Sequence, residues 1–248
     1  MLTSINIEEV KKLKRYHTNN INTNGTLYTD GEYIYKVIVY DEESTFPEEL
    51  LKILKEIDEK KSTFSVKPKH LIEDNGKVIG YSTIDMKQET MHNLINRSID
   101  QRKKDLLKAF DLVEEIAENG YQYSDFHPGN VLVDGDFEKL TLCDLDCLRY
   151  IKDDDDKRKH YLRGFGLLLS YYYNVDGEAA RVAVMNGGNI RYDADNVFRE
   201  CMDSIGRKDF KKKLKKLENM DSRHFRGYRH DVEEVIIDRA RNGYYRGL

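Results

Sequence analysis

The stretch Tyr121 to Leu148, YQYSDFHPGNVLVDGDFEKLTLCDLDCL, narrows what this chain can become more than any other part of it. A polar turn holding Asp125, His127, Pro128 and Asn130 is followed by the apolar run Val131-Leu132-Val133. An Asp134-Gly135 turn signal and a second apolar run, Leu140 to Cys143, come next, and Asp144 ends the second run. Two short buried strands joined at Asp-Gly return the chain on itself. That spacing predicts Asn130 at the start of the hairpin and Asp144 at its end on one edge, with Asp125 one turn away. Three oxygen-bearing side chains are expected to converge.

The pattern on either side differs in period. Thr26 to Tyr40 carries β-branched and aromatic residues around Asp30-Gly31, which predicts two antiparallel strands. Pro47 then opens a segment whose apolar residues Leu50, Ile53, Leu54 and Ile57 recur at helical spacing, giving a helix over 47–60. Val66 to Glu73 and Lys77 to Ile84, joined by Asp74-Asn75-Gly76, read as two more strands. Residues 1–20 are a short helix or strand at a domain edge. Near residue 88 the composition shifts to helical spacing: Leu106, Phe110, Val113, Ile116 and Ala117 share one face up to a stop at Asn119-Gly120. Further helices are expected at Tyr161 to Tyr173, around 176–186, around 194–217 and at Val232 to Arg241. The domain boundary therefore falls between 1–87, strand-rich with one helix, and 88–248, mainly helical.

Asp125, His127, Pro128 and Asn130, followed by a hairpin and then Asp144, resemble the catalytic and metal-binding loops of the protein-kinase-like superfamily. There the catalytic loop reads Asp-x-[Lys/His]-Pro-x-Asn and a later aspartate ends a strand. The resemblance implies an α+β, bilobal kinase-like fold: a small antiparallel sheet lobe with one helix, a larger helical lobe, and Mg-ATP bound between them. It implies transfer of the γ-phosphoryl group to a hydroxyl, a reaction in which the protein mainly supplies positioning and positive charge.

Residue by residue, the resemblance makes Asp125 the group that accepts or orients the acceptor's proton, with His127 beside it in the catalytic loop, and makes Asn130 and Asp144 the magnesium ligands. Lys36, in the strand after Asp30-Gly31, matches the lysine that contacts the nucleotide phosphates. Its partner is expected from the helix at 47–60: Glu49, with Glu48 and Glu56 as alternatives. Met86, in the hinge Asp85-Met86-Lys87, is the expected adenine contact, and Gly25 is the one glycine of the phosphate-covering loop Asn22 to Thr26.

Several positions depart from the family's pattern. Tyr123-Ser124 replaces the His-Arg of many protein kinases, and no Ala-Pro-Glu motif closes a peptide-docking platform. Asp144-Leu145-Asp146 lacks the usual glycine, so Asp146 is either a second metal contact or a strand-end cap. His127 is common in the branch resembling aminoglycoside and choline phosphotransferases. The first expectation is a minimal protein Ser/Thr kinase. The alternatives are a small-molecule kinase, or a pseudokinase serving as a nucleotide- or partner-binding module.

Composition adds exclusions. Aromatic residues at 10% argue against disorder despite 35% charged residues, and a net charge of −4 gives no global attraction to nucleic acid. Cys143, Cys147 and Cys201 are too sparse for a disulfide framework and suit a reducing compartment. The most apolar stretch, Phe165 to Tyr173, is too short to span a bilayer, and Met1 to Arg15 has no signal-like run, so the expectation is a soluble, cytoplasmic protein. Two charged runs stand out. Asp153 to Asp156 reads as a solvated loop or a contact for a basic substrate. The basic helix 207–216, RKDFKKKLKK, reads as a surface helix or a site for an anionic partner.

Overall fold

Alternating apolar residues and turn signals do produce strands here, but one of them recruits a distant piece of chain. The computed structural model describes residues 2–16, 25–38, 46–60, 62–94, 97, 99–135, 137–173 and 212. The first elements are β1 (Thr3–Asn6), α1 (Ile7–Val10), β2 (Lys14–Arg15), β3 (Thr26–Thr29), β4 (Tyr33–Val37), α2 (Glu48–Lys60), β5 (Pro68–Asp74) and β6 (Lys77–Ile84). After them come β7 (Glu89–Thr90), α3 (Ile99–Glu118), β8 (Tyr121–Tyr123), β9 (Val131–Val133), β10 (Leu140–Leu142), β11 (Leu148–Tyr150) and α4 (Asp154–Tyr173). The expected helices around 176–186, 194–217 and 232–241, and with them the basic run 207–216 and Cys201, lie outside the described residues, Lys212 excepted.

The chain forms two compact units, Met1–Gln88 with Thr141–Tyr150, and Glu89–Leu140 with Ile151–Leu248. Thr141–Tyr150, expected from the sequence within 88–248, groups with the first unit. The backbone explains why: Leu142 N–H donates to Phe64 O at 2.8 Å, and Val66 N–H donates to Leu142 O at 2.9 Å. Val66, expected to open a strand, is thereby used in a parallel bridge centred on Ser65 and Leu142, and β5 begins only at Pro68. A proline at a strand's first residue loses no ladder bond.

In the first unit a six-stranded sheet runs β1-β5-β6-β4-β3-β2. Residues 1–20 supply both a strand and a helix: β1 pairs in parallel with β5, and Asn6 caps α1 by accepting from Glu8 N–H at 2.8 Å. Ile7, Val10, Tyr35 and Ile72 form the cluster under α1. β4 lies between β3 and β6, with Lys36 opposite Leu27 on one side and Tyr81 on the other. Successive strand residues face opposite sides, so burial of both Tyr35 and Lys36 means that both faces of β4 are covered there. Gly80 on β6 passes so close to the Lys36 carbonyl that a Cβ would collide with it. The helix expected from Pro47 is α2, which buries Leu50, Ile53, Leu54 and Ile57.

In the second unit α3 buries Leu106, Phe110, Val113, Ile116 and Ala117, the face read from the sequence. Gly120 (φ +85°) closes it in the left-handed conformation favoured after a helix. β7 pairs antiparallel with β9. The turn after β9 is wider than the Asp-Gly signal suggests: Asp134 N–H donates to Lys139 O at 3.2 Å, and Phe137, at φ +59°, is buried. Helix α4 begins well before Tyr161. Asp153, expected in a solvated loop, caps it by accepting from Asp156 N–H at 2.9 Å, and Asp154, Asp155 and Asp156 form its first turn. Carboxylates there sit against unpaired N–H groups and the positive end of the helix dipole.

Candidate functional site

In the first unit, the second apolar run brings Asp144 to Lys36. The Lys36 ammonium donates to both carboxylate oxygens of Asp144, at 2.9 and 2.8 Å, across 108 residues of sequence. It also lies 2.5 Å from Asp146 Oδ2. Lys36 and Asp146 are nearly buried, with side-chain exposures of 10% and 13%, against 28% for Asp144. Burial by itself would drive the lysine toward neutrality, but the two carboxylates outweigh it and hold the ammonium above its ordinary range. Asp146 moves the other way for a carboxylate: burial and the charge of Asp144 raise it despite Lys36.

Tyr81, one strand over, completes this cluster. Its hydroxyl donates to Asp144 Oδ1 at 3.3 Å and accepts from Leu145 N–H at 3.2 Å. Burial, then the charges of Asp146 and Asp144, push its phenol well up, so it stays a donor. The neighbouring Cys143 thiol is raised to about 12 by burial and by Asp144, which leaves it neutral and a poor nucleophile.

Glu49 does not meet Lys36. Its Oε1 accepts from Tyr150 N–H at 3.1 Å, and its Oε2 lies 3.9 Å from Arg149 Nε, so it ties α2 to β11. Glu56 accepts from the Tyr150 hydroxyl at 2.8 Å, and Glu48 is exposed. The expected lysine-helix glutamate pair is therefore replaced, because two aspartates from the segment after β10 already satisfy the lysine. Gly25 is also used locally: its backbone runs so close to Val37 that a Cβ would collide with the Val37 carbonyl. Asn22 to Asn24 lie outside the described residues. Met86 is exposed in a turn where Asp85 Oδ1 accepts from Lys87 N–H at 3.1 Å and Lys87 takes φ +53°.

In the second unit, the polar turn holds Asp125, His127 and Asn130 together. His127 Nδ1 accepts from Gly129 N–H at 3.1 Å and so caps the single 3-10 turn Pro128–Asn130. Its Nε2 lies 3.7 Å from Asp125 Oδ2. Asn130 is buried, and its Nδ2 approaches Asp125 Oδ2 at 2.8 Å, Tyr123 Oη at 3.0 Å and Asp125 O at 3.2 Å. Asp125 is half exposed. An exposed carboxylate locked by a buried amide is oriented toward solvent rather than toward the core, as proton transfer to or from a ligand requires.

One group behind this loop carries no sequence signal. His160, on α4, accepts from Tyr123 N–H at Nδ1 (3.0 Å) and donates from Nε2 to Val113 O (2.7 Å). Phe126 packs against its ring at 5.2 Å. Burial lowers His160 to about 4, so the ring is neutral.

No family model matches the chain, and no curated protein matches its sequence. Among the described residues, no group of three or more His, Cys, Asp or Glu side chains gathers as a metal centre. No helix among them is long and apolar enough to cross a membrane.

Proposed function

We propose that this protein is an ATP- and magnesium-dependent kinase with a bilobal kinase-like fold, passing the γ-phosphoryl group to a hydroxyl oriented by Asp125. The observation that carries the reading is the Lys36–Asp144 pair. A lysine buried in a central strand and an aspartate 108 residues later, chosen from separate motifs, meet at 2.8 and 2.9 Å. The Asp125–Asn130 contact supports it from the other motif.

Asp144 and the Asn130 amide oxygen are hard donors. They suit magnesium, which keeps several waters and takes only one or two protein carboxylates. Asp144 already faces one positive charge, the Lys36 ammonium, and is the more exposed of the two carboxylates around it, which fits a donor able to accept a cation. Bound there, the ion would neutralise charge developing on the phosphate oxygens. Lys36 supplies a fixed positive charge for phosphate, Asn130 holds the Asp125 carboxylate, and His127 shapes the turn that presents it.

Labelled ATP with magnesium, given to the parent protein and to Asp125→Ala and Asp144→Ala, tests this. Turnover in the parent and losses on the order of 10² to 10⁴ in the variants are expected; equal rates in all three refute the assignment. For the acceptor, a protein Ser/Thr hydroxyl is the first reading. A small-molecule hydroxyl is favoured by the shortness of the segment between Asp144 and α4, of which Leu148–Tyr150 is already a strand, since little chain remains to dock a peptide. Phosphate on a generic protein substrate supports the former, and turnover stimulated only by hydroxylated metabolites or aminoglycosides supports the latter. Magnesium-dependent thermal stabilisation by ATP with no transfer at all would mark a binding module instead.

A further inference from the structure

We infer that Asp146 is the positioning residue for Lys36, in the place the resemblance gives to a helix glutamate. The inference deepens the kinase reading and rests on it. Two independent observations carry it. Asp146 Oδ2 lies 2.5 Å from Lys36 Nζ with both side chains nearly buried, and Glu49, the helix candidate, is engaged with Tyr150 N–H and Arg149.

The chemistry separates the two aspartates. An ammonium has three donors. Asp144 takes two contacts from it while being the more exposed carboxylate and the one that matches the metal-binding position. If Asp144 turns to a cation, Asp146 is the carboxylate left to hold Lys36 in place, and being buried it has little water to turn to instead. The lysine is thereby anchored through the two-residue step Asp144-Leu145-Asp146, whose backbone is fixed where Leu145 N–H meets Tyr81. Anchoring of Lys36 then does not depend on α2, and movement of that helix would not switch the lysine off. A glycine after Asp144-Leu145, as in the family's usual pattern, would remove the anchor, so the departure in sequence and the displaced glutamate have one explanation.

A double-mutant cycle on the denaturation midpoint tests the pairing without requiring any turnover. With Lys36 present, Asp146→Asn is expected to lower the midpoint. With Lys36→Met, the same substitution is expected to raise it, because it then removes an uncompensated buried charge beside Asp144. Glu49→Gln should shift both backgrounds in the same direction and by a similar amount. A same-sign shift for Asp146→Asn in both backgrounds, or a sign change for Glu49→Gln, overturns the inference. In kinetics, Asp146→Asn should raise the KM for ATP on the order of tenfold, the size expected for losing one close charge contact at a partly buried site, and Asp146→Glu should restore part of it. An unchanged KM overturns the positioning role. A parent protein that turns over no ATP refutes the kinase reading, whereas the sign change in the cycle would still establish the Lys36–Asp146 pair.

Discussion

Asn130 Nδ2 and Tyr123 Oη lie 3.0 Å apart, both side chains buried, and the same amide nitrogen reaches Asp125 Oδ2 at 2.8 Å. One buried amide thus couples a core tyrosine to the exposed carboxylate of the candidate catalytic loop. Replacing Tyr123 with phenylalanine removes the acceptor and keeps the ring that packs edge-on against Phe126. Destabilisation of about 1 kcal/mol is expected. ATP turnover should fall more than this implies, since the amide that orients Asp125 loses a partner; denaturant midpoints and initial rates check the two effects separately.

His160 makes stability depend on acid. Its folded value of about 4 lies below the ordinary 6.5, so the unfolded chain binds the extra proton more readily. Stability from this group is therefore complete above about pH 6.5 and drains away as pH falls toward 4, by up to about 3 kcal/mol. A proton on Nδ1 would also face the Tyr123 N–H that now donates to it. Urea unfolding from pH 7 to pH 4 should show this slope, and His160→Gln should flatten it while being less stable at pH 7.

Gly164 on α4 has no room for a methyl group: a Cβ there would sit 2.5 Å from Val113 Cγ1 and 2.7 Å from Val113 Cγ2. Gly164→Ala therefore gains helix propensity but forces α3 and α4 apart, for a net loss of about 1 to 3 kcal/mol. Combining it with Val113→Ala should recover part of the loss in thermal unfolding, because the second change vacates the space the first one needs.

Asp153 offers a milder test of how α4 starts. Asp153→Ala removes the side-chain acceptor for Asp156 N–H and should cost about 1 kcal/mol, whereas Asp153→Asn keeps an acceptor and should cost much less. Thermal midpoints of the two variants measured side by side decide it.

The sequence made the local elements legible where pattern and packing agree. The apolar stripes of α2 and α3 and the strands around Asp30-Gly31 and Asp74-Asn75-Gly76 follow from spacing that burial then satisfies. Composition misread Asp153 to Asp156 as a loop, because four carboxylates look solvated until a helix N-terminus is there to use them. Long-range partners were legible only through motif. Lys36 and Asp144 could be selected, but nothing in the helix at 48–60 distinguishes a glutamate that meets lysine from one that meets the Tyr150 backbone. His160 and Tyr81 were silent, since a histidine after a charged run and a tyrosine within a strand give no sign of the buried partners they meet.

The parallel pairing of β1 with β5, Thr3 beside His70, sets a clock on synthesis. At roughly 5 to 20 residues per second, the ribosome delivers Thr3–Asn6 some 3 to 13 s before its neighbour in the sheet exists. Through that interval Thr3–Asn6 can only wait, and the sheet's outer margin is sealed by an early stretch meeting one translated much later. Any other extended segment emerging in that time would compete to pair with β1.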